Sequence, residues 1–388
     1  MTAMTAANWN YPTSVKFGAG RVRELPEHCR ALGMSRPLLV TDPGIAALPI
    51  VTGALQVCKD AGVPCGLFAQ VKGNPSGRNV EDGVAAFHAG GHDGVIALGG
   101  GSALDAGKAI ALMTGQSRPL WDFEDVGDNH SRVDVRGMAP VVAVPTTAGT
   151  GSEVGRASVI VDEAAQVKRI IFHARMLPAI VILDPELTLD LPPRLTAATG
   201  VDALSHNLEA LCSPVYHPMA MGIAMEACRL VHAHLVRAVR DGRDLEARGQ
   251  MLVASSMGAT AFQKGLGAMH ALAHPLGALY DQHHGTLIAI LMPYVLKANE
   301  AAIGGKSELL ARYLGLPDPG FAAVLDWVLA LREAVGLPHT LAEIGIPSDA
   351  VGRVGAMAVQ DGSAATNPIP LSAQQYDTLL QHALAGTL

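Results

Sequence analysis

The amino-acid sequence predicts an α/β domain at residues 1–190 and an all-helical domain at residues 191–388. Up to about residue 184, short apolar runs alternate with helical segments of about 10 to 15 residues, as in βαβ units that build a parallel sheet. From Leu195 onward, apolar residues recur at helical spacing, interrupted by Pro and Gly, and little alternates as a strand would. A chain of 388 residues is also long for one hydrophobic core.

The predicted strands are short apolar runs at residues 37–41, 66–71, 94–98, 140–144 and 179–183. Helical patterns at residues 51–61 and 80–89, and from residue 103 onward, lie between the earlier runs. The composition changes after the last run, at Asp184-Pro185-Glu186, and this change places the domain boundary at residues 185–195. A final helix is predicted at residues 372–385.

A glycine loop follows the strand that ends at Leu98. The loop is Gly99-Gly100-Gly101-Ser102, and a helix follows it directly. A glycine loop between a strand and a helix N-terminus can bind phosphate, because the backbone approaches closely and free N–H groups face the anion. The pattern is not GxGxxG, and a bare glycine triplet can also be a tight turn.

A second loop rich in hydroxyls and glycine follows the strand at residues 140–144. It reads PTTAGTGSEV at residues 145–154. Such a loop can be a surface turn. Two such loops after two parallel strands, however, both fall at the carboxyl edge of the sheet, where α/β proteins bind ligands. Together they favour a nucleotide.

Two stretches of the helical half carry pairs of potential metal ligands. His270 and His274 are four residues apart and therefore lie on one helix face, as do Asp202 and His206 on another helix. Each imidazole can instead be a buried histidine that is hydrogen-bonded to the backbone. One carboxylate with up to three imidazoles would suit Fe(II) or Zn(II). Spacing alone leaves both interpretations open, and the active site is expected in the cleft between the halves.

Composition narrows the classes of function and partner. A formal net charge of −7 with few Lys or Arg clusters argues against nucleic acid, whose phosphates require a basic face. The five cysteines are scattered without a CxxC pair and are expected to be reduced thiols. Apolar runs such as Leu287 to Leu291 are far shorter than the roughly 20 residues of a membrane span. With no signal peptide recognised, we expect a cytoplasmic protein without a membrane partner.

Four motifs, in this order and at these separations, resemble the iron-containing (group III) alcohol dehydrogenases. They are Gly99–Ser102 with Asp105, PTTAGTGSEV at 145–154, DALSH at 202–206, and HALAHPLG with HHG within 270–285. The resemblance covers nearly the whole chain. It implies a Rossmann-like dinucleotide-binding domain followed by a metal-binding helical domain, in a dehydroquinate synthase-like architecture. It also implies NAD, a divalent metal and a homodimer or higher homo-oligomer.

The resemblance assigns site residues one by one. The implied metal ligands are Asp202, His206, His270 and His284. His274 is then a second-sphere catalytic residue near the nicotinamide, in proton relay. The implied cofactor contacts are Gly100, Gly101 and Ser102 in the first loop, Thr146, Thr147 and Ser152 in the second, and Asn74, Lys168 and Asp42. A carboxylate at Asp42 would accept hydrogen bonds from the ribose 2′-OH and repel a 2′-phosphate, so NAD is preferred to NADP.

The chain departs from the family pattern beside the last ligand. His283 stands where most relatives have Pro, and Asp281-Gln282 stands where they commonly have Asn-Thr. The doublet His283-His284 therefore leaves open which imidazole binds the metal.

The implied reaction is reversible hydride transfer between a primary alcohol and NAD, with the metal acting as a Lewis acid on the oxygen. Fe(II) is the expected metal and Zn(II) the alternative. The runs at 261–267 and 283–287, and Arg156 paired with residues 172–173, look most like 4-hydroxybutyrate dehydrogenases. Arg156 or Lys264 would then anchor a substrate carboxylate, although either can instead form a surface or interdomain ion pair.

The sequence is also compatible with three rival functions. A dehydroquinate synthase-type lyase shares the architecture, nucleotide and metal but needs a more basic pocket for a phosphorylated substrate. A reductase of another small aldehyde, such as a phosphonate or maleylacetate-like compound, would use the same site. A non-catalytic nucleotide or metal sensor is the alternative from a different class, and the presence of both sites at full spacing argues against it.

Overall fold

The computed structural model describes residues 13–388, so the first twelve residues of the predicted N-terminal domain lie outside the described part. The chain forms two compact units. Of the described residues, the sheet unit comprises 13–147 and 151–190, and the helical unit comprises 148–150 and 191–388. The dinucleotide-binding and metal-binding roles assigned to the two domains stay predictions.

The sheet unit is built on a parallel sheet that has six strands in the described residues. In chain order the strands of the unit are β1 (Ser14–Phe17), β2 (Leu38–Val40), β3 (Gly66–Phe68), β4 (Val95–Gly99), β5 (Val141–Pro145), the separate hairpin β6 (Ala157–Asp162) and β7 (Val167–Phe172), and β8 (Ile180–Leu183). The order across the sheet is β1-β8-β5-β4-β2-β3, with every neighbouring pair parallel. The predicted α/β class is confirmed.

The burial of the central strands explains why they appear in the sequence as clear apolar runs. Every residue of β4 and β5 is buried, which is typical of parallel strands covered by helices on both faces and makes them continuous apolar runs. The connecting helices are α1 (Leu25–Ala31), α2 (Pro49–Asp60), α3 (Gly77–Ala89) and α4 (Gly101–Met113). Ile96 and Val142 pack with residues of α1 and α2 in one apolar cluster.

Strand β1 and the antiparallel hairpin β6–β7 were not predicted from the sequence. The buried face of β6 includes Ser158 and Asp162, so the usual alternation of apolar and polar residues is absent. Strand β1 is short, mostly exposed and contains Lys16, so it also lacks the apolar pattern.

The helical unit confirms the predicted all-helical half. Its helices are α5 (Pro193–Cys212), α6 (Pro218–Arg240), α7 (Leu245–Ala261), α8 (Ala268–Tyr280), α9 (His284–Leu314), α10 (Phe321–Ala334), α11 (Arg353–Gln360) and α12 (Ala373–Ala385). Helix α12 begins one residue later than predicted. Ser372 caps it through a reciprocal pair of hydrogen bonds with Gln375.

Helix α9 is, within the described residues, the one helix long and apolar enough to cross a membrane. In its most apolar window, 67% of the residues are buried inside the protein. The residues from Leu287 to Leu296, except Pro293, belong to the main apolar cluster of the helical unit. The apolar character of α9 is therefore accounted for by its position in the core.

Candidate active site

Helix α5 carries three buried polar side chains along one face. Asp202, His206 and Glu209 follow one another at intervals of four and three residues, so they lie above one another on the helix surface. Asp202 is only 2% exposed and His206 only 4% exposed. A buried carboxylate is costly unless it meets a counter-charge, hydrogen-bond donors or a metal ion. This face of α5 therefore needs a partner.

Helices α8 and α9 bring further imidazoles to the same place. Asp281 ends α8 in the left-handed conformation, with φ +49°, and α9 starts three residues later at His284. Potential ligand atoms of Asp202, His206 and His270 all lie within 4.8 Å of one another. Nε2 of His284 lies 3.4 Å from Oδ1 of Asp202. The structure thus brings together the four side chains predicted to bind metal.

A glycine permits the close approach of α9 to α5. A Cβ atom at Gly285 would lie only 2.2 Å from the carbonyl oxygen of Ala198, far inside van der Waals contact. Ala198 precedes Asp202 by one helical turn, and Gly285 directly follows His284. The glycine is therefore part of what places His284 beside Asp202.

The hydrogen bonding of the cluster fits a divalent metal ion. Among residues 13–388, Oδ1 of Asp202 and Nε2 of His270 are buried without a hydrogen-bond partner, and Nε2 of His206 lies 3.8 Å from Oδ1 of Asp202. Leaving such groups unpaired costs about 1–3 kcal/mol each, a cost that metal coordination would remove. Burial lowers the pKa of His206 to about 4, so its imidazole is neutral, as a metal ligand must be. One carboxylate and three imidazoles form a donor set for Fe(II) or Zn(II).

Glu209 orients the His270 ring. Nδ1 of His270 donates to Oε2 of Glu209 over 2.6 Å, and the backbone N–H of Met269 donates to Oε1 over 2.7 Å. Burial lowers the pKa of His270, but the charge and hydrogen bond of Glu209, together with the charges of Asp202 and Asp361, outweigh it and leave this pKa raised. With Nδ1 engaged, Nε2 is turned toward the cluster. A carboxylate behind a histidine is the usual support of a metal-binding imidazole.

His274 lies beside this cluster and has its own carboxylate. Nδ1 of His274 lies 2.8 Å from Oδ2 of Asp361, and its ring stacks on that of His284 with centroids 5.7 Å apart. Burial raises the pKa of Asp361, but His274 and the backbone N–H of Ser363 overcome this and lower it to about 2. Asp361 is therefore a fixed negative charge that holds the His274 ring.

In the sheet unit, the two predicted nucleotide loops meet at the carboxyl ends of β4 and β5. Gly99 has φ +147°, a conformation that favours glycine, and α4 begins at Gly101 with Gly100 as its N-cap. The backbone N–H of Thr146 donates to the carbonyl of Gly99 over 2.9 Å. A Cβ at Gly100 would lie 3.5 Å from the side chain of Thr147. The first loop and the start of the second, at Thr146 and Thr147, therefore lie beside the N-terminus of α4, a position suited to phosphate.

The side chain of Ser152 is hydrogen-bonded to a buried ion pair. Its hydroxyl donates to Oδ1 of Asp105 over 2.5 Å, and the ammonium of Lys108 donates to its carbonyl over 2.9 Å. Lys108 is 1% exposed and lies 3.2 Å from Asp105. This network, with Val159 N–H donating to Asp105 over 3.0 Å, fixes the second loop against α4.

The remaining predicted cofactor residues lie at three places in the sheet unit. Asp42 follows β2, and its Oδ1 accepts the N–H of Gly44 over 2.9 Å. Asn74 adjoins Gly73, whose carbonyl accepts the hydroxyl of Ser102. Lys168 lies in β7 and pairs in register with Val161 of β6. Their contacts with a cofactor stay predictions.

Comparison with known proteins decides the family. The sequence model of "Iron-containing alcohol dehydrogenase" matches residues 12–185, and that of "Fe-containing alcohol dehydrogenase family, C-terminal" matches residues 196–384. The chain belongs to the iron-containing alcohol dehydrogenase family. The resemblance seen in the sequence motifs is confirmed, and the protein is an oxidoreductase.

Individual members of the family are similar over almost the full chain. A 4-hydroxybutyrate dehydrogenase of Cupriavidus necator is 38% identical over 96% of this chain and 99% of its own. The crystal structure of a 1,3-propanediol oxidoreductase, 34% identical, covers 98% of this chain and 100% of its own with a TM-score of 0.93. A sulfoacetaldehyde reductase of Bifidobacterium kashiwanohense, solved with NAD+, is 27% identical over 97% and 99% of the chains, with a TM-score of 0.87.

For this iron-containing alcohol dehydrogenase, the structure corrects one candidate substrate anchor. The ammonium of Lys264 is buried and donates to the carbonyls of Ala210 over 2.9 Å, Leu211 over 3.3 Å and Ser213. These carbonyls end α5, so Lys264 caps that helix. Burial lowers the pKa of Lys264 to about 8. Neither a carboxylate anchor nor a surface or interdomain ion pair describes it.

Two carboxylates of this family member were missed by the sequence reasoning. Glu209 had a detectable signal, because it continues the spacing of Asp202 and His206 along α5. Asp361 had none, since it lies 87 positions from His274 and outside the four motifs. The two histidines of the doublet lie in different surroundings, because His284 lies beside Asp202, whereas His283 is an exposed residue at the N-cap of α9. That His284 rather than His283 binds the metal stays a prediction.

Proposed function

We propose that this alcohol dehydrogenase interconverts a primary alcohol and its aldehyde with NAD at one divalent metal ion. The observation that carries the proposal is the cluster of Asp202, His206, His270 and His284, in which a buried carboxylate oxygen and a buried imidazole nitrogen have no hydrogen-bond partner. When bound, the metal supplies Lewis acidity toward the substrate oxygen. Fe(II) is the proposed ion, and Zn(II) would bind the same donor set.

The sheet unit would bind the dinucleotide. Gly100 and Gly101 form the N-terminus of α4, with Thr146 and Thr147 of the second loop beside them, and there backbone N–H groups and the helix dipole favour a pyrophosphate. A carboxylate at Asp42 favours a ribose 2′-OH over a 2′-phosphate. The sulfoacetaldehyde reductase of the same fold was solved with NAD+, which supports NAD as the cofactor.

His274 is the proposed proton-relay residue. Its Nδ1 is held by Asp361, so Nε2 is the nitrogen available to exchange a proton with water or with a ribose hydroxyl. Its side chain is 12% exposed, which leaves a route for the proton. Asp361 is a positioning residue, because it acts through His274.

The proposed substrate class is a short ω-hydroxy acid such as 4-hydroxybutyrate. Arg156 is half-buried, and its guanidinium carbon lies 5.5 Å from the centroid of the Phe172 ring. Stacking on a ring face leaves the in-plane N–H donors of an arginine available for a carboxylate. With Lys264 capping α5, Arg156 is the remaining predicted anchor. The similarity to the 4-hydroxybutyrate dehydrogenase supports this class.

One assay tests the function against its rivals. The protein is stripped of metal, reloaded with Fe(II) or Zn(II), and NADH formation is measured with 4-hydroxybutyrate, 1-butanol and 1,3-propanediol. The proposal predicts turnover in the loaded enzyme and none in the stripped one. Loss of NADH formation in every form would favour the dehydroquinate synthase-type lyase or the sensor, and turnover without metal would reject the mechanism. A phosphonate or maleylacetate-like aldehyde, tested in the reverse direction, distinguishes the other reductases.

We further propose a cytoplasmic homodimer or a multiple of it. The family assignment and the cysteines, which are all unbridged in the structure, support a reducing compartment. The mass of the protein in solution, measured by light scattering, tests the oligomeric state.

A further inference from the structure

Helix α8, which carries His270 and His274, begins without a capping side chain of its own. Its N-cap residue is Gly267, which has no side chain to accept a hydrogen bond. The first N–H groups of an α-helix have no partner inside the helix, and a polar side chain at the N-cap usually supplies the acceptor. Ala268 and Met269, the first two residues of α8, are buried. Their N–H groups therefore need acceptors from elsewhere in the protein.

Two side chains that are distant in the sequence supply these acceptors. Oδ1 of Asn367, 99 positions away, accepts the N–H of Ala268 over 3.0 Å. Oε1 of Glu209, 60 positions away, accepts the N–H of Met269 over 2.7 Å. A Cβ atom at Gly267 would lie 2.8 Å from the Asn367 oxygen and 3.0 Å from the Glu209 oxygen, so a side chain there would displace them. Tertiary contacts thus replace the local cap of α8.

The amide of Asn367 is held in one orientation. Its Nδ2 donates to the carbonyl of Ile369 over 2.7 Å and to Oδ1 of Asn299 over 2.9 Å. Nδ2 of Asn299, in α9, donates back to Oδ1 of Asn367 over 3.0 Å. A carbonyl can only accept and a backbone N–H can only donate, so Ile369 and Ala268 together fix which end of the amide faces α8. Both asparagines are only 4% exposed, and all four hydrogen-bonding positions of the Asn367 side chain are used.

The backbone around Asn367 is also fixed against α8. The hydroxyl of Thr366 donates to the carbonyl of Leu266 over 2.7 Å. Asn367 has φ −64° and ψ 141°, the extended conformation favoured by the proline that follows it. Asp361, which holds the ring of His274, lies at the start of the same segment. Residues 361–367 therefore contact α8 both at its first residue and at His274.

We propose that Asn367 is a positioning residue for the metal ligand His270. The inference rests on the proposed function, in which His270 binds the metal ion. His270 is the third residue of α8 and lies in the turn that Asn367 and Glu209 cap. Glu209 orients the imidazole ring through Nδ1, and Asn367 fixes the start of the helix from which the ring projects. Without Asn367 the first turn of α8 frays, and His270 is less often in place for the metal.

Asn79 provides a matched control for a cap that only stabilises the fold. It is also a buried asparagine, 5% exposed, and it lies in the sheet unit. Its Oδ1 accepts the N–H of Ser76, the N-cap residue of α3, over 3.1 Å, and its Nδ2 donates to the carbonyl of Gln70 over 2.9 Å. Asn79→Ala and Asn367→Ala therefore remove similar bonds at two different helix starts.

The affinity for Zn(II), measured on the folded variants by competition with a chelator, tests the proposal. Asn367→Ala should bind Zn(II) about 3- to 30-fold more weakly than the wild type, the size expected for the loss of one helix cap. Asn79→Ala should keep the affinity of the wild type, although thermal unfolding shows it to be less stable. Equal affinities in Asn367→Ala and the wild type would overturn the proposal.

Hydrogen exchange of the metal-free proteins shows where the structure loosens. After peptic digestion, mass spectrometry should find the first-turn amides of α8 exchanging faster in Asn367→Ala than in the wild type, with α6 unchanged. Faster exchange spread evenly over the helical unit, with unchanged Zn(II) affinity, would show a role in stability alone and contradict the positioning role.

Asn299→Ala is the second variant if Asn367→Ala does not fold. It removes two of the four hydrogen bonds of Asn367 and leaves the bond to Ala268 in place. A smaller loss of Zn(II) affinity in the same direction is expected, and an unchanged affinity would count against the proposal. A wild type that binds no Zn(II) would reject the proposed function and this role with it. Wild-type binding that the variants retain would reject the positioning role alone.

Discussion

At the scale of single residues, the candidate metal centre depends on side chains behind the ligands as much as on the ligands. Asp202 and His206 were predictable because four-residue spacing on a helix is visible in any sequence. Asp361 was not, because only the tertiary fold brings it within 2.8 Å of His274. The assignment of Lys264 failed for the same reason: a lysine near the motifs turned out to face helix carbonyls.

Glu209→Gln should weaken metal binding. The amide would keep the shape of the side chain but lose the charge that holds Nδ1 of His270, a change that typically costs about 10- to 100-fold in metal affinity. Competition with a chelator of known affinity measures the effect. Glu226→Gln is the matched control, since Glu226 pairs with Arg229 on the surface of α6. Equal affinities in both variants would show that Glu209 does not support the metal ligand.

Alanine variants of His274 and His270 should distinguish a loss of proton transfer from a loss of metal binding. His274→Ala is expected to lower kcat by about 100- to 10,000-fold, the usual range for a general acid–base group, with metal content unchanged. His270→Ala should lose both activity and metal, because its Nε2 belongs to the buried cluster. Metal content by plasma emission and initial rates check both variants. The opposite pattern would exchange the roles of the two histidines.

Arg156 should distinguish a hydroxy acid from a plain alcohol. A hydrogen bond to a charged group contributes about 1.5–3 kcal/mol, so Arg156→Met should lower kcat/KM for 4-hydroxybutyrate by about 10- to 150-fold. The constant for 1-butanol, which has the same carbon chain and no carboxylate, should change little. Arg175→Met, at an exposed position, is the control. Equal losses on both substrates would exclude Arg156 as the carboxylate anchor.

At the scale of elements, helices α5, α8 and α9 set the geometry of the cluster through close packing. The sequence predicted helices in this half from their period, but not which of their faces meet. The contact of Gly285 with Ala198 gives the reason. Helix α9 can approach α5 closely only because Gly285 has no side chain, and hydrophobic periodicity does not reveal such a contact. The β6–β7 hairpin was missed because its buried face includes polar residues.

Two glycines of α9 should respond oppositely to alanine. Gly285→Ala must push α9 away from α5, so we expect a loss of stability of about 1–3 kcal/mol and weaker metal binding. Gly305→Ala meets no atom within 4 Å and should stabilise the same helix by about 0.5–1 kcal/mol. Thermal unfolding with and without metal measures both. A neutral Gly285→Ala variant with full metal affinity would contradict the packing argument.

At the scale of the molecule, the order of strands and helices along the chain was enough to predict the fold class. Continuous apolar runs such as 94–98 and 141–144 identify buried parallel strands, and the helical half follows from its period. The order of the strands across the sheet could not be predicted from the sequence, because it depends on long-range pairing such as that of β1 with β8. The glycine loops were predictable because each follows a buried strand directly.

The most direct measurement is the position of the metal in crystals of the Fe(II)- or Zn(II)-loaded protein, located by anomalous scattering. We predict one peak per chain, at about 2.0–2.2 Å from a carboxylate oxygen of Asp202 and from ring nitrogens of His206, His270 and His284. A peak bound elsewhere, or one that takes His283 in place of His284, would contradict the proposed centre.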